Sequence, residues 1–136
     1  MPSSASALQK AIFTTLTGDV ALVGLLGGPR LYDNAPQSPA FPYMTFAMSE
    51  TRDWDTGTEP RDEHLVTLHV WSRDKGRSEA HAIMDRIRVL LHDQSPSLEG
   101  HRCINLRHEF SEARREPVGD TMRGLTRYRA ATEPLA

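Results

Sequence analysis

The chain has 136 residues, 38% hydrophobic and 25% charged, with a formal net charge of −2. That length suits one domain, residues 1–136, burying roughly two-thirds of its unfolded surface, and the composition excludes wholesale disorder. No apolar run approaches the ~20 residues needed to cross a bilayer, and the acidic balance speaks against tight phosphate binding.

The first ten residues lack the basic-then-apolar layout of a secretion signal. The single cysteine, Cys103, has no partner for an internal disulfide, so folding in a reducing cytoplasm is expected. Of the 16 basic residues 14 are Arg, and half of these fall between Arg102 and Arg129. Arginine's planar fork of donors suits interfaces. A coding bias toward Arg gives the same count without any role.

In chain order, Leu8, Ala11, Ile12 and Leu16 recur at helical spacing behind Ser4 or Ser6 as cap. Gly18 ends that helix, Asp19 caps a second one over Val20–Leu26, and Gly27-Gly28-Pro29 stops it. Arg30–Ala35 reads as a short extended segment, and Pro36, Pro39 and Pro42 shape the connection that follows. Tyr43–Thr51 and His64–Arg73 read as strands. In the second, Val66, Leu68 and Val70 share one face, while Leu65, Thr67, His69 and Trp71 share the other.

Ser78–Leu91 carries the clearest amphipathic stripe, made by Ala80, Ile83, Met84, Ile87, Leu90 and Leu91. Asp93–Gly100 reads as a turn region. Arg102–Ser111 alternates, with Ile104, Leu106, His108 and Phe110 on one face, and Gly124–Thr132 reads as the last strand. From Thr132 onward the chain reads as a free tail. Strands adjacent in sequence pair most simply as hairpins. The expected fold is therefore α+β, one mostly antiparallel sheet with helices on one face and long hairpin loops.

Catalytic and metal signatures are missing from the sequence. Six histidines show no HExxH spacing and there is no CxxC pair. His101 and Cys103 share a strand face but lack a second ligand pair. Cys103 reads as structural, and His69 and His108 as sheet residues with hydrogen-bonded rings. No GxSxG elbow occurs, and Gly24, Gly27 and Gly28 lack the GK[ST] ending of a phosphate loop. The carboxylates of Glu50, Asp53, Asp55, Glu59, Asp62 and Glu63 fall in a polar segment where water keeps them ordinary acids. No cofactor is implied and no catalysis is expected.

Two polar connections, Arg52–Glu63 and Glu112–Arg123, are too long for tight turns and read as projecting arms. Trp54, flanked by Asp53 and Asp55, suits an interface anchor in the first arm, unless it folds back on its own sheet. Arg114, Arg115 and Arg123 in the second suit pairing with acids on a neighbour. These six residues are the candidate subunit or partner contacts.

The ordered segments "ALQKAIFTTLTGD", "VALVGLLGG", "NAPQSPAFPYMTF", "VWSRDKGRSEAHAIMDRI" and "GLTRYRAAT" run from Ala7 to Thr132 and so span nearly the whole chain. Their order and spacing resemble the tail terminator, or tail completion, proteins of long-tailed bacteriophages and gene-transfer particles. The resemblance implies a virion structural subunit made in the host cytoplasm. Six copies would form a ring at the head-proximal end of the tail. The ring would cap the tail tube and dock the head connector or stopper protein, with DNA sliding through its lumen. It implies no catalytic residue, metal, cofactor or membrane partner. Other readings are a head-completion (stopper) neck protein, a small-molecule-binding regulatory domain, and a hydrolase or nuclease if the acidic arm held metal.

Overall fold

The computed structural model describes residues 3–53, 57, 60–73, 76–117 and 119–135. Helices α1 (Ser4–Thr17) and α2 (Val20–Leu26) come first, followed by β1 (Leu31–Tyr32), β2 (Tyr43–Asp53) and β3 (Asp62–Ser72). Helix α3 (Gly76–Leu91), β4 (Ser97–Leu98), β5 (His101–Arg115) and β6 (Met122–Pro134) complete the order. None of these helices is long and apolar enough to cross a membrane.

The cap of α1 is Ser3, not Ser4 or Ser6: its side chain accepts the Ser6 N–H, while Ser4 is buried and donates to Asp62 Oδ2 at 2.6 Å. Asp19 caps α2 as expected, accepting the Leu22 N–H at 2.8 Å, and its carboxylate also takes both prongs of the Arg86 fork at 2.8 Å. That pair ties α2 to α3, and the Arg86 hydrogen bond holds the Asp19 carboxyl down to about 2. Gly27, at φ 80°, closes α2 in the left-handed region, where a Cβ would be strained.

The strands form one sheet in the order β1-β2-β3-β6-β5-β4. Every pairing is antiparallel except β1 with β2, which is parallel. Leu8, Ile12, Leu16, Leu22, Leu26, Ile83, Ile87 and Leu91 bury themselves against one sheet face carrying Met44, Val66, Leu68, Val70, Leu106 and Tyr128. Each such aliphatic side chain contributes about 1.5–3 kcal/mol by leaving water. The helices thus lie on one face, as expected, and no described helix lies over the other.

Several boundaries differ from the sequence expectation. The strands run on into the two arms: Arg52 and Asp53 pair with Glu63 and Asp62, and Glu112–Arg115 pair with Leu125–Met122. The second connection shrinks to residues 116–121. The chain end is no free tail, because Thr132 is buried in β6 and the Leu135 N–H donates to Gly100 O. Phe110 does not share a face with Leu106 and His108. The β5 register skips one residue between Cys103 and Asn105 and another between His108 and Phe110. Each bulge adds a residue and resets the alternation, which turns Phe110 to the helix-free face.

Candidate subunit interface

Register places the helix-free face row by row. Tyr43, Trp71, Arg123 and Arg114 make one transverse row, and Met48, Thr67, Arg127 and Phe110 another. Met48 is 54% exposed and Phe110 42%, so apolar side chains stand among arginines on a surface open to solvent. The arginines are not free charges. Arg129 reaches Glu63 at 2.8 Å and Glu109 at 2.7 Å, spanning three strands. Arg127 donates to Thr67 Oγ1 at 3.2 Å and lies over the Phe110 ring.

The candidate contact residues separate into two groups. Asp53 ends β2 beside Asp62, while Arg114 and Arg115 end β5, with Arg123 across from Arg114. Through β3 these groups sit at opposite ends of the sheet, Asp62 marking one and Ser72 the other. Ten residues of strand make that separation about 33 Å. The structure therefore brings Arg114 and Arg123 together and keeps Asp53 away from them. Arg123 is tied to Glu116 at 2.9 Å, and Arg114 lies 3.4 Å from Glu112. Trp54 and Asp55 lie outside the described residues.

At the arginine end stands an aromatic cluster that sequence reading missed. Tyr43 stacks on Trp71 (6.1 Å between ring centres), Phe41 meets Tyr43 edge-on at 5.0 Å, and the Arg73 guanidinium sits 4.1 Å over Phe41. Trp71 Nε1 donates to Thr45 Oγ1 at 3.1 Å. The only sequence signal for this cluster was aromatic enrichment at the two strand ends. The register that joins Tyr43 to Trp71 was not available there.

Burial shifts the chemistry of Cys103, His69 and His108. It pushes the Cys103 thiol up to about 11, so the thiolate that attacks or binds metal is scarce at neutral pH. His108 bonds Ser111 Oγ at 2.6 Å and meets the Tyr128 ring edge-on, and His69 packs against Trp71. Burial lowers the pKa of both imidazoles. Among the described residues no three His, Cys, Asp or Glu side chains gather as metal ligands. A groove of about 450 Å³ between α1 and β4 is lined by Lys10, Thr14, Pro96 and Glu99 among others. It holds an exposed Lys10–Glu99 ion pair at 3.7 Å and no convergent set of buried polar groups.

A chain in the virion of the native gene transfer agent particle superposes with a TM-score of 0.87 at 25% identity, covering 98% of this chain and 99% of that one. The gp17 protein of bacteriophage SPP1 shares the fold, with a TM-score of 0.62 at 19% identity over 98% and 91% of the two chains. No curated protein sequence matches. The family model for tail completion protein gp17 matches residues 10–133, from within α1 to near the end of β6. The chain belongs to the tail completion protein gp17 family.

Proposed function

We propose that this chain is a structural subunit of a ring that caps the tail tube of a phage-like particle and joins it to the head connector. The reading is carried by the end-to-end match to a chain of the gene transfer agent virion. Six copies would close the ring, and the subunit would act without catalysis, cofactor or metal. DNA would slide through the lumen. A net charge of −2 and arginines already tied to carboxylates, such as Arg129 to Glu63 and Glu109, suit passage without capture.

A head-to-tail ring uses two different patches per subunit. Asp53 at one end of the sheet, with its chain neighbours Trp54 and Asp55, would face one neighbour, and Arg114, Arg115 and Arg123 at the other end would face the next copy or the tube. Trp54→Ala should lower ring assembly at least tenfold while leaving the urea midpoint of the free chain unchanged. Normal assembly by this variant removes Trp54 from the contact.

The primary test is absolute mass by light scattering with negative-stain imaging, with and without purified tail tubes. Six-fold rings, free or on tube ends, are expected. A chain that stays monomeric and leaves tubes uncapped overturns the reading. Attachment to head connectors alone would assign it to the stopper position of the neck.

A further inference from the structure

Both outer edges of the sheet are only half covered. Beside β2, β1 pairs with Met44 and Thr45 alone. Beside β5, β4 pairs with His101 and Arg102 alone, and the turn after α3 covers the next stretch, the Asp93 N–H donating to Leu106 O and the His108 N–H to His92 Nδ1. Two regular six-residue segments remain, Met48–Asp53 on one edge and Phe110–Arg115 on the other. Both lie beyond a bulge, and no described strand pairs with their outer sides.

We propose that these segments are the ring contact itself: Met48–Asp53 of one copy adds as a strand to Phe110–Arg115 of the next. The inference rests on the ring reading above and specifies its contact. Direction permits it, since β2, β3, β6 and β5 alternate, so β2 of a following copy meets β5 antiparallel. Backbone geometry permits it too. Met44 donates outward to Arg30 O, and Leu106 and His108 bond outward to Asp93 and His92, all three being helix-face residues. Peptide groups alternate with side chains, so Ser49, Thr51 and Asp53 on one edge, and Ser111, Ala113 and Arg115 on the other, present their N–H and C=O outward.

Charge selects the register. On the helix-free face β2 carries Glu50 and Arg52, 2.7 Å apart, and β5 carries Glu112 and Arg114, 3.4 Å apart. Antiparallel pairing with Glu50 opposite Arg114 also sets Arg52 opposite Glu112. Slipping by two residues sets Glu50 against Glu112, which like-charge repulsion disfavours. In the favoured register both ion pairs occupy positions without direct backbone bonds, where Cα atoms lie closest, about 4.5 Å apart.

The offset this implies fits a closed barrel. Glu50 lies level with Arg107 across its own sheet, through Leu65 and Arg129. Pairing with Arg114 therefore shifts each copy by six ladder positions, one residue being spent in the bulge. Six steps of ~3.3 Å across four strands ~4.8 Å apart tilt the strands by about 45°, near the ~35–45° of closed barrels. The shift also carries the neighbour's β2 clear of the β4 end of the edge.

The test is cross-linking on tail tubes. Arg52→Cys/Glu112→Cys protein, assembled on tubes and oxidised, should give a ladder of covalent oligomers above the dimer. A mixture of the two single variants should stop at the dimer. The shifted pair Arg52→Cys/Arg114→Cys should cross-link at least tenfold less. Separately, Glu50→Arg and Arg114→Glu should each cut assembly at least tenfold, and the double variant should recover to within threefold of the wild type. Wild-type rings on tubes with no ladder, equal cross-linking of the shifted pair, or no charge-swap recovery overturn the strand contact and leave the ring reading standing. Absence of any wild-type assembly on tubes overturns both.

Discussion

His64 shows how a single buried residue can set pH sensitivity. Its ring is fully buried on the helix side of β3, with Nδ1 3.0 Å from Thr51 Oγ1 and Nε2 2.9 Å from Thr132 Oγ1. Burial lowers its pKa, partly offset by Asp62 and reinforced by His101. A lowered folded pKa means the stabilisation is complete above the ordinary histidine value near 6.5 and is lost as pH falls through the folded value. His69 and His108 are lowered as well and add to the same slope. Urea unfolding should therefore show stability falling from pH 7 toward pH 5, by up to about 1.4 kcal/mol per pH unit for each such histidine. His64→Gln should flatten that slope measurably, and an unchanged slope would show that His64 titrates as an exposed histidine does. His64→Ala should cost roughly 2–4 kcal/mol at pH 7, because it opens a cavity and leaves two hydroxyls without their partner.

Elements meet at tolerances that sequence reading does not convey. Gly124 in β6 faces α3 so closely that a Cβ there would stand 2.9 Å from Met84 Sδ and 3.4 Å from Val70 Cβ. Gly124→Ala displaces only the flexible end of Met84, whereas Gly124→Val adds two methyls that the sheet below cannot yield to. The valine variant should lose about 1–3 kcal/mol in urea unfolding, with alanine close to wild type. Equal midpoints for all three would mean that α3 sits farther from the sheet. Helices α1, α2 and α3 were legible because their apolar stripes are local, as was the Val66–Leu68–Val70 face of β3. The Ile104–Phe110 face was misread because alternation assumes an unbroken count, and a bulge is set by a partner strand far away in sequence. The arms were misjudged for a related reason. Glu112, Arg114 and Arg123 look like loop residues by polarity, yet backbone pairing to a neighbouring strand holds them in a ladder whatever their side chains prefer. The buried His64 left no local trace, since its partners lie 13 and 68 residues away.

For the whole molecule the decisive feature is polarity along the strands. Residues 50–63, which run from β2 through the connection into β3, hold six acids and two arginines, a net charge of −4. The opposite end gathers Arg73, Arg114, Arg115 and Arg123 around the aromatic cluster of Phe41, Tyr43 and Trp71, with Glu112 beside Arg114 and Glu116 paired to Arg123, so it lacks the acidic excess of the first. Two acidic ends repel, and the exposed Arg114 and Arg115 attract an acidic end, so ordered contact is favoured over random association within a Debye length. Arg52, Asp53, Arg73, Arg114 and Arg115 are exposed, so added salt should weaken association far more than folding. Raising sodium chloride from about 0.05 to 0.5 M shortens the Debye length from ~14 to ~4 Å. Assembly on tail tubes should then fall at least tenfold in initial rate, while the urea midpoint of the free chain moves little. If assembly were indifferent to salt, attraction between opposite ends would not guide it, and apolar contact through Met48, Phe110 and the aromatic cluster would have to supply the order instead.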